Sequence, residues 1–261
     1  MELTVLGCSG SGPGPLSPSS GYLVRLGDRT LVLDLGNGSL GALHRHLDPF
    51  TLDALWLSHL HPDHCADVAS LVVYLRYHPS PPYPPCTRPL PVYGPAETAD
   101  RLRAQYGASA AERDETDLAD VLDIRVVDDH LSTEVAGATL RARRTVHPCE
   151  SYAVRLEHEG RSLVYSGDTA ACASLVEVAQ GADVLLCEAT WPHRGPDGEA
   201  PPVGVHLSGR EAGEHAAAAG VGKLLLTHIP VWYDPAELLA EAKSAYDGPV
   251  ELVTAGGVYP V

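Results

Sequence analysis

The octet Leu57-Ser58-His59-Leu60-His61-Pro62-Asp63-His64 restricts this chain more than any other stretch, because it sets an H-x-H-x-D-H pattern between two segments of different periodicity. Residues 53–57, at its entry, are apolar enough to form a short buried strand. After Pro62, Val68, Leu71, Val72 and Leu75 recur at i, i+3, i+4 and i+7, the spacing of a helix with one apolar face. Alternate side chains of an extended segment share a face, so His59, His61 and Asp63 point one way, and His64 falls where strand becomes helix. Three imidazoles and a carboxylate fill a core poorly but suit borderline cations such as zinc. A polar turn can contain histidines, yet four ligand-type side chains in six positions are too dense for that explanation.

At 261 residues the chain is long enough for one large α/β domain with a substantial core, expected to run over residues 1–261. No apolar run approaches the ~20 residues of a membrane span. Met1-Glu2 leads straight into Leu3-Thr4-Val5-Leu6 without a basic segment or cleavage pattern, so a cytoplasmic protein with no membrane partner is expected. Cys8, Cys65, Cys86, Cys149, Cys172 and Cys187 never form C-x-x-C, which argues against a zinc knuckle or a redox dithiol; mostly buried thiols are expected. The formal net charge of −16 disfavours a long RNA or DNA partner, whose phosphates are held by Lys and Arg. A small substrate held by metal ions is compatible with it.

Along the chain, residues 3–6 read as a strand that runs into Gly7-Cys8-Ser9-Gly10-Ser11-Gly12-Pro13-Gly14-Pro15. This loop lacks the G-K-[ST] of a P-loop and reads as a flexible turn, with a substrate-facing role as the alternative. Residues 22–26 and 30–34 form a hairpin pattern, and residues 40–46 a short helix. The eight prolines of residues 78–95 suit a polyproline connector into a strand at 90–93; the alternative is a rigid lip offering Tyr83 or Tyr93 to a base. A helix follows over 97–106, then an acidic solvated helix or loop over 112–123, and strands at 124–127, 139–146, 152–157 and 162–166. Residues 171–180 read as a helix, 184–187 as a buried strand and 195–204 as a Pro/Gly loop. Ser208-Gly209-Arg210-Glu211 is a capping box for a helix through Ala219, 223–226 a strand, Asp234-Pro235-Ala236-Glu237 the start of a last helix, and 250–254 a last strand.

Thr145-Val146-His147, Tyr165-Ser166-Gly167-Asp168 and Leu226-Thr227-His228 each end an apolar run with a metal-competent side chain. Strand ends on one edge of a layered α/β fold are where ligands bind. Singly, each reads as an ordinary loop residue; their shared placement outweighs that reading. Seven ligands suit two divalent ions: His59, His61 and His147 on one, Asp63, His64 and His228 on the other, with Asp168 bridging. Two such ions ~3.5–4 Å apart can share a hydroxide and clamp the oxygens of a phosphoryl centre.

The order H-x-H-x-D-H, His147, Ser166-Gly167-Asp168 and Thr227-His228 resembles the metallo-β-lactamase superfamily over nearly the whole chain. The resemblance implies an αβ/βα sandwich of two mixed β-sheets with helices on the outer faces and a dinuclear zinc site, with Mn2+ or Fe2+ as substitute cations. Cys187-Glu188-Ala189-Thr190 is similar to the H-E-A-T motif of the ribonuclease Z branch, with cysteine for its first histidine, and His206-Leu207-Ser208 is similar to its H-S-T motif. By that resemblance Glu188 orients His206, and His206 binds the phosphate or protonates the leaving oxygen; Ser208 reads as a helix cap. Only 21 positions separate His147 from Asp168, however (168 − 147 = 21), too few for the tRNA-gripping arm of that branch.

The stretches Leu6-Gly7-Cys8-Ser9-Gly10-Ser11, Arg76-Tyr77-His78-Pro79-Ser80, Tyr165-Ser166-Gly167-Asp168-Thr169, His206-Leu207-Ser208-Gly209 and Leu225-Leu226-Thr227-His228-Ile229-Pro230 look like the small cyclic-nucleotide phosphodiesterases of the same superfamily. That similarity implies hydrolysis of 3′,5′-cyclic AMP to 5′-AMP by a hydroxide bridging two Zn2+, with Asp63, His206 and Glu188 as catalytic residues and a homodimer as the assembly. The alternatives are a ribonuclease Z-like endonuclease of tRNA 3′ ends without the arm, and a non-catalytic metal- or nucleotide-binding protein.

Overall fold

Unbroken apolar runs such as Leu31-Val32-Leu33 mark strands covered on both faces, and the architecture supplies both covers. The computed structural model describes residues 1–195 and 197–261; of the expected 195–204 loop, Pro196 lies outside the described residues. The elements are β1 (Glu2–Gly7), β2 (Gly21–Leu26), β3 (Arg29–Leu35), α1 (Ser39–Leu43), β4 (Ala54–Trp56), α2 (Pro62–Cys65), α3 (Val68–Tyr77), β5 (Leu90–Gly94), α4 (Thr98–Tyr106), α5 (Ala110–Glu115) and β6 (Leu122–Val126). Then follow β7 (Ser132–Val135), β8 (Ala138–Arg144), β9 (Tyr152–His158), β10 (Arg161–Tyr165), α6 (Ala173–Ala179), β11 (Val184–Glu188), α7 (Gly209–Ala219), β12 (Lys223–Thr227), α8 (Pro235–Ala245), β13 (Val250–Leu252) and β14 (Val258–Pro260).

Two seven-stranded mixed sheets result, ordered β14-β1-β2-β3-β4-β5-β6 and β13-β12-β11-β10-β9-β8-β7. Each is antiparallel on one side and parallel on the other, the switch falling at β3/β4 and at β10/β11. One apolar cluster joins the sheets, with Leu3, Tyr22, Leu33 and Trp56 meeting Leu140, Leu156, Tyr165 and Leu186. A second lies between the first sheet and α1, α3 and α4, and a third between the second sheet and α6, α7 and α8. This is the expected two-sheet sandwich with helices outside. No described helix is long and apolar enough to cross a membrane. The parallel strands bring the C-terminal ends of β4, β11 and β12 to one edge, where His59 follows β4 and His228 follows β12; His147 follows the end of β8 and Asp168 that of β10.

Several boundaries depart from expectation for local reasons. The expected single strand 139–146 is β8 alone, and its partner β7 went unread because their turn puts Ala136 and Gly137 at positive φ, a conformation alanine does not announce. The chain does not end on 250–254: β14 follows and pairs antiparallel with β1. The solvated 112–123 stretch is exposed only in part, since Leu118, Val121 and Leu122 pack into the second cluster. Of the cysteines, Cys65 and Cys187 are buried, Cys8, Cys149 and Cys172 half-buried and Cys86 exposed, so burial is not general. Tyr83 donates to the Phe50 carbonyl and lies edge-on to the Phe50 ring, and Tyr93 is buried, so Tyr93 offers no lip to a base.

Leu156 is fully buried between the sheets. Leu156→Ala should therefore lower the unfolding free energy by about 2–5 kcal/mol in a denaturant titration, while leaving bound metal unchanged in the folded fraction.

Candidate metal centre

A charged residue inside the run Leu31-Val32-Leu33-Asp34-Leu35 must find partners, and the backbone re-aims it to do so. Tyr22 pairs with Leu33 but Gly21 pairs with Leu35, so Asp34 is the extra residue of a bulge, at φ 57°. Its buried carboxylate accepts from the Ser58 backbone N–H, the Ser58 hydroxyl, His64 Nδ1 and the Tyr165 hydroxyl, each at 2.7 Å. With Nδ1 committed to Asp34, His64 turns Nε2 to the centre. Ser58 Oγ in turn accepts from His59 Nδ1 at 3.1 Å, which frees His59 Nε2 in the same way. Asp34 was missed in the sequence, although a lone carboxylate in an apolar strand was the signal.

The seven expected ligands fall into two groups. In the first, His59 Nε2 lies 3.0 Å from His61 Nδ1, which lies 3.2 Å from His147 Nε2. His147 donates its other nitrogen to the Val205 carbonyl at 2.8 Å. In the second, His64 Nε2 and His228 Nε2 lie 3.1–3.6 Å from each other and from Asp63 Oδ2 and Asp168 Oδ1. Ligands at ~2.0–2.1 Å around a tetrahedral zinc stand about 3.3 Å apart, so both groups have the dimensions of a cation shell. Asp168 belongs to both: Oδ1 is 3.2 Å from His64 Nε2, and Oδ2 is 3.7 Å from His59 Nε2.

The electrostatics call for positive charge. Asp34, Asp63, Asp168 and Glu188 are all buried, and among the described residues none pairs with Lys or Arg. Asp168 Oδ1 is buried without a hydrogen bond, an expensive state that a cation relieves. Burial, and then the charge of His64, hold His59 well below the ordinary histidine range; burial also lowers His61 and His147, which keeps these rings in the metal-binding form. His64 is pushed well up against its burial by Asp168 and Asp34, the same field a metal ion would feel. These residues therefore fit a metal centre.

Glu188, at the end of β11, accepts from the Thr169 N–H at 2.6 Å, the Thr190 hydroxyl at 2.6 Å and the Leu207 N–H at 3.2 Å. Its Oε1 also holds His206 Nδ1 at 3.0 Å. Burial lowers the affinity of His206 for a proton, but the charge and hydrogen bond of Glu188 outweigh it and raise the pKa to about 9. Thr190 Oγ1 lies 2.9 Å from His228 Nδ1 and completes the orientation of that ring. The sequence did not single out this threonine. Ser208 is a cap, as read: its side chain accepts from Glu211 N and the box is complete.

The glycine-rich loop after β1 is not a free turn. Its Cys8 carbonyl accepts from the His228 N–H at 3.0 Å, and His228 sits at φ 60°. A Cβ on Gly10 would stand 2.3 Å from the His228 carbonyl oxygen, so only glycine allows this approach. The loop clamps the backbone of an expected ligand in a strained conformation.

A family model described as Beta-lactamase superfamily domain matches residues 29–229. The chain belongs to the β-lactamase superfamily. An uncharacterized protein of Mycobacterium leprae is 48% identical to this superfamily member over 263 residues, covering 100% of this chain and 89% of that protein. The probable metallo-hydrolase YhfI of Bacillus subtilis is 31% identical over 260 residues, 99% of each. The crystal structure of that metallo-β-lactamase fold protein matches with a TM-score of 0.83 at 28% identity, covering 99% of each chain. A ribonuclease Z of Mycolicibacterium paratuberculosis is 31% identical over 245 residues, 87% of this chain and 85% of that protein. The two-sheet sandwich of this superfamily member is thus the metallo-β-lactamase fold, and its His/Asp cluster lies within the matched segment.

Asp34→Asn keeps the side-chain volume but removes the charge that holds His64 and Ser58. Metal affinity should fall by roughly 10–100-fold in a chelator competition titration; unchanged affinity would contradict the orienting role of Asp34.

Proposed function

We propose that the chain is a dinuclear zinc phosphodiesterase that hydrolyses small cyclic nucleotides, converting 3′,5′-cyclic AMP to 5′-AMP. The observation that carries the reading is the position of Asp168, which turns one carboxylate oxygen to each of the two ligand groups. His59, His61 and His147 would hold one divalent cation and Asp63, His64 and His228 a second, with Asp168 shared; bound there, the cations would supply positive charge to phosphoryl oxygens and lower the pKa of water. The imidazole and carboxylate donors suit Zn2+, with Mn2+ or Fe2+ as substitutes.

The chain's own residues do the rest. Asp63, on the first turn of α2, positions the attacking water and takes its proton. His206, held through Nδ1 by Glu188, presents Nε2 to the phosphate and gives its proton to the departing 3′ oxygen as the P–O bond breaks. Glu188 itself cannot swing away, because two backbone N–H groups and a hydroxyl hold it.

A small substrate is supported by charge and by topology. The formal net charge is −16, and the interval between His147 and Asp168 is taken up by the tight β9–β10 hairpin. The identity to ribonuclease Z supports a second reading, cleavage of tRNA 3′ ends through another docking surface.

The test offers cyclic AMP and a tRNA precursor in parallel to zinc-loaded protein. Conversion of cyclic AMP to 5′-AMP is expected; cleavage of the precursor alone would establish the second reading in its place. Asp168→Ala should abolish turnover and lower bound zinc. His206→Ala should keep its metal and lose roughly 10²–10⁴-fold in kcat; loss of metal from that variant would contradict the role given to His206.

A further inference from the structure

The triad His59, His61 and His147 has a fourth neighbour. Cys149 places Sγ in the same cluster, its sulfur and the three ring nitrogens all lying within 4.8 Å of one another. Among the described residues no other cysteine joins a cluster of potential ligands. The short loop that carries Cys149 is pinned at both ends. The Thr145 N–H donates to the Ser151 carbonyl at 2.9 Å, Ser151 Oγ donates to the Asp168 carbonyl at 2.9 Å, and the Tyr152 N–H donates to the Ser58 carbonyl at 3.0 Å. The hydrogen bonds that place the loop therefore run to Asp168 and to the residue preceding His59. A sulfur at ~2.3 Å and nitrogens at ~2.0–2.1 Å from one zinc stand about 3–3.5 Å apart, inside the 4.8 Å that bounds this group, and beside Asp168 the thiolate would make that cation five-coordinate.

We propose that the Cys149 thiolate is a ligand of the cation held by His59, His61 and His147, and that it makes this position select thiophilic ions such as Zn2+ and Co2+ over Mn2+. The proposal rests on the metal-centre reading. As the sulfur–metal bond forms, the thiol proton leaves to bulk solvent. Soft sulfur favours zinc and cobalt, whereas the oxygen and imidazole donors of the other group discriminate less. Nothing in this arrangement depends on the substrate, so it is tested without turnover.

The apo form of the full chain is loaded with Co2+ and its absorption spectrum recorded. A thiolate-to-cobalt charge-transfer band in the near ultraviolet is expected beside the visible bands of bound cobalt. Cys149→Ser should bind the same number of cobalt ions without that band, and its zinc affinity should fall by at least about tenfold with manganese affinity unchanged. Cobalt bound by the unaltered chain without a thiolate band, or a band that persists in Cys149→Ser, overturns the proposal while leaving the metal centre intact. Absence of any cobalt binding overturns the metal-centre reading itself. If Cys149→Ser does not fold, alkylation of Cys149 by iodoacetamide in the unaltered chain decides: zinc should protect the thiol, and equal rates with and without zinc overturn the proposal.

Discussion

Burying Asp34, Asp63, Asp168 and Glu188 at one edge of the sandwich costs more than their hydrogen bonds return unless cations share the space. Six histidines crowd the same edge, and neighbouring groups hold most of them with one ring nitrogen toward the centre. Asp34 fixes His64, Ser58 fixes His59, the Val205 carbonyl fixes His147 and Thr190 fixes His228. The centre is therefore built as a set of oriented donors, and the fold's irregular features serve that orientation. The bulge at Asp34 and the left-handed backbone at His228 are both strained positions held by the structure packed around them.

The sandwich supplies the rigidity that such orientation needs. Each sheet changes from antiparallel to parallel pairing next to strands that lead to the centre, so the ends of β4, β10 and β12 meet at one edge, which the β8–β9 connection also reaches through His147. The apolar cluster between the sheets includes Tyr22 and Tyr165, whose rings lie 5.0 Å apart. Their hydroxyls reach the polar layer, Tyr165 to Asp34 and Tyr22 to Thr227. Core packing and site geometry are thereby one connected structure, and a shift in either sheet moves a ligand.

What could be read from the residues was the part written in dense local patterns. The H-x-H-x-D-H octet, the capping box at Ser208 and the strand-end positions of His147, Asp168 and His228 all follow from short-range patterns, and the structure brings the histidines and aspartates among them together. The supporting residues were less legible because their roles depend on long-range contact. Asp34 and His64 are 30 positions apart and Thr190 and His228 are 38. The Gly7–Pro15 stretch read as a flexible turn because its composition reports backbone freedom and says nothing of the His228 backbone that Gly10 must admit. β7 and β14 escaped for a related reason: each is a short strand fixed by its partner rather than by its own apolar pattern.

The central claim is that the cluster holds two cations joined by Asp168. Anomalous scattering from crystals of the zinc-loaded chain tests it most directly. The account predicts two zinc peaks about 3.5–4 Å apart, one within bonding distance of His59, His61 and His147, the other of Asp63, His64 and His228, with Asp168 reaching both. A single peak, or zinc bound elsewhere with these side chains still in mutual contact, would contradict it.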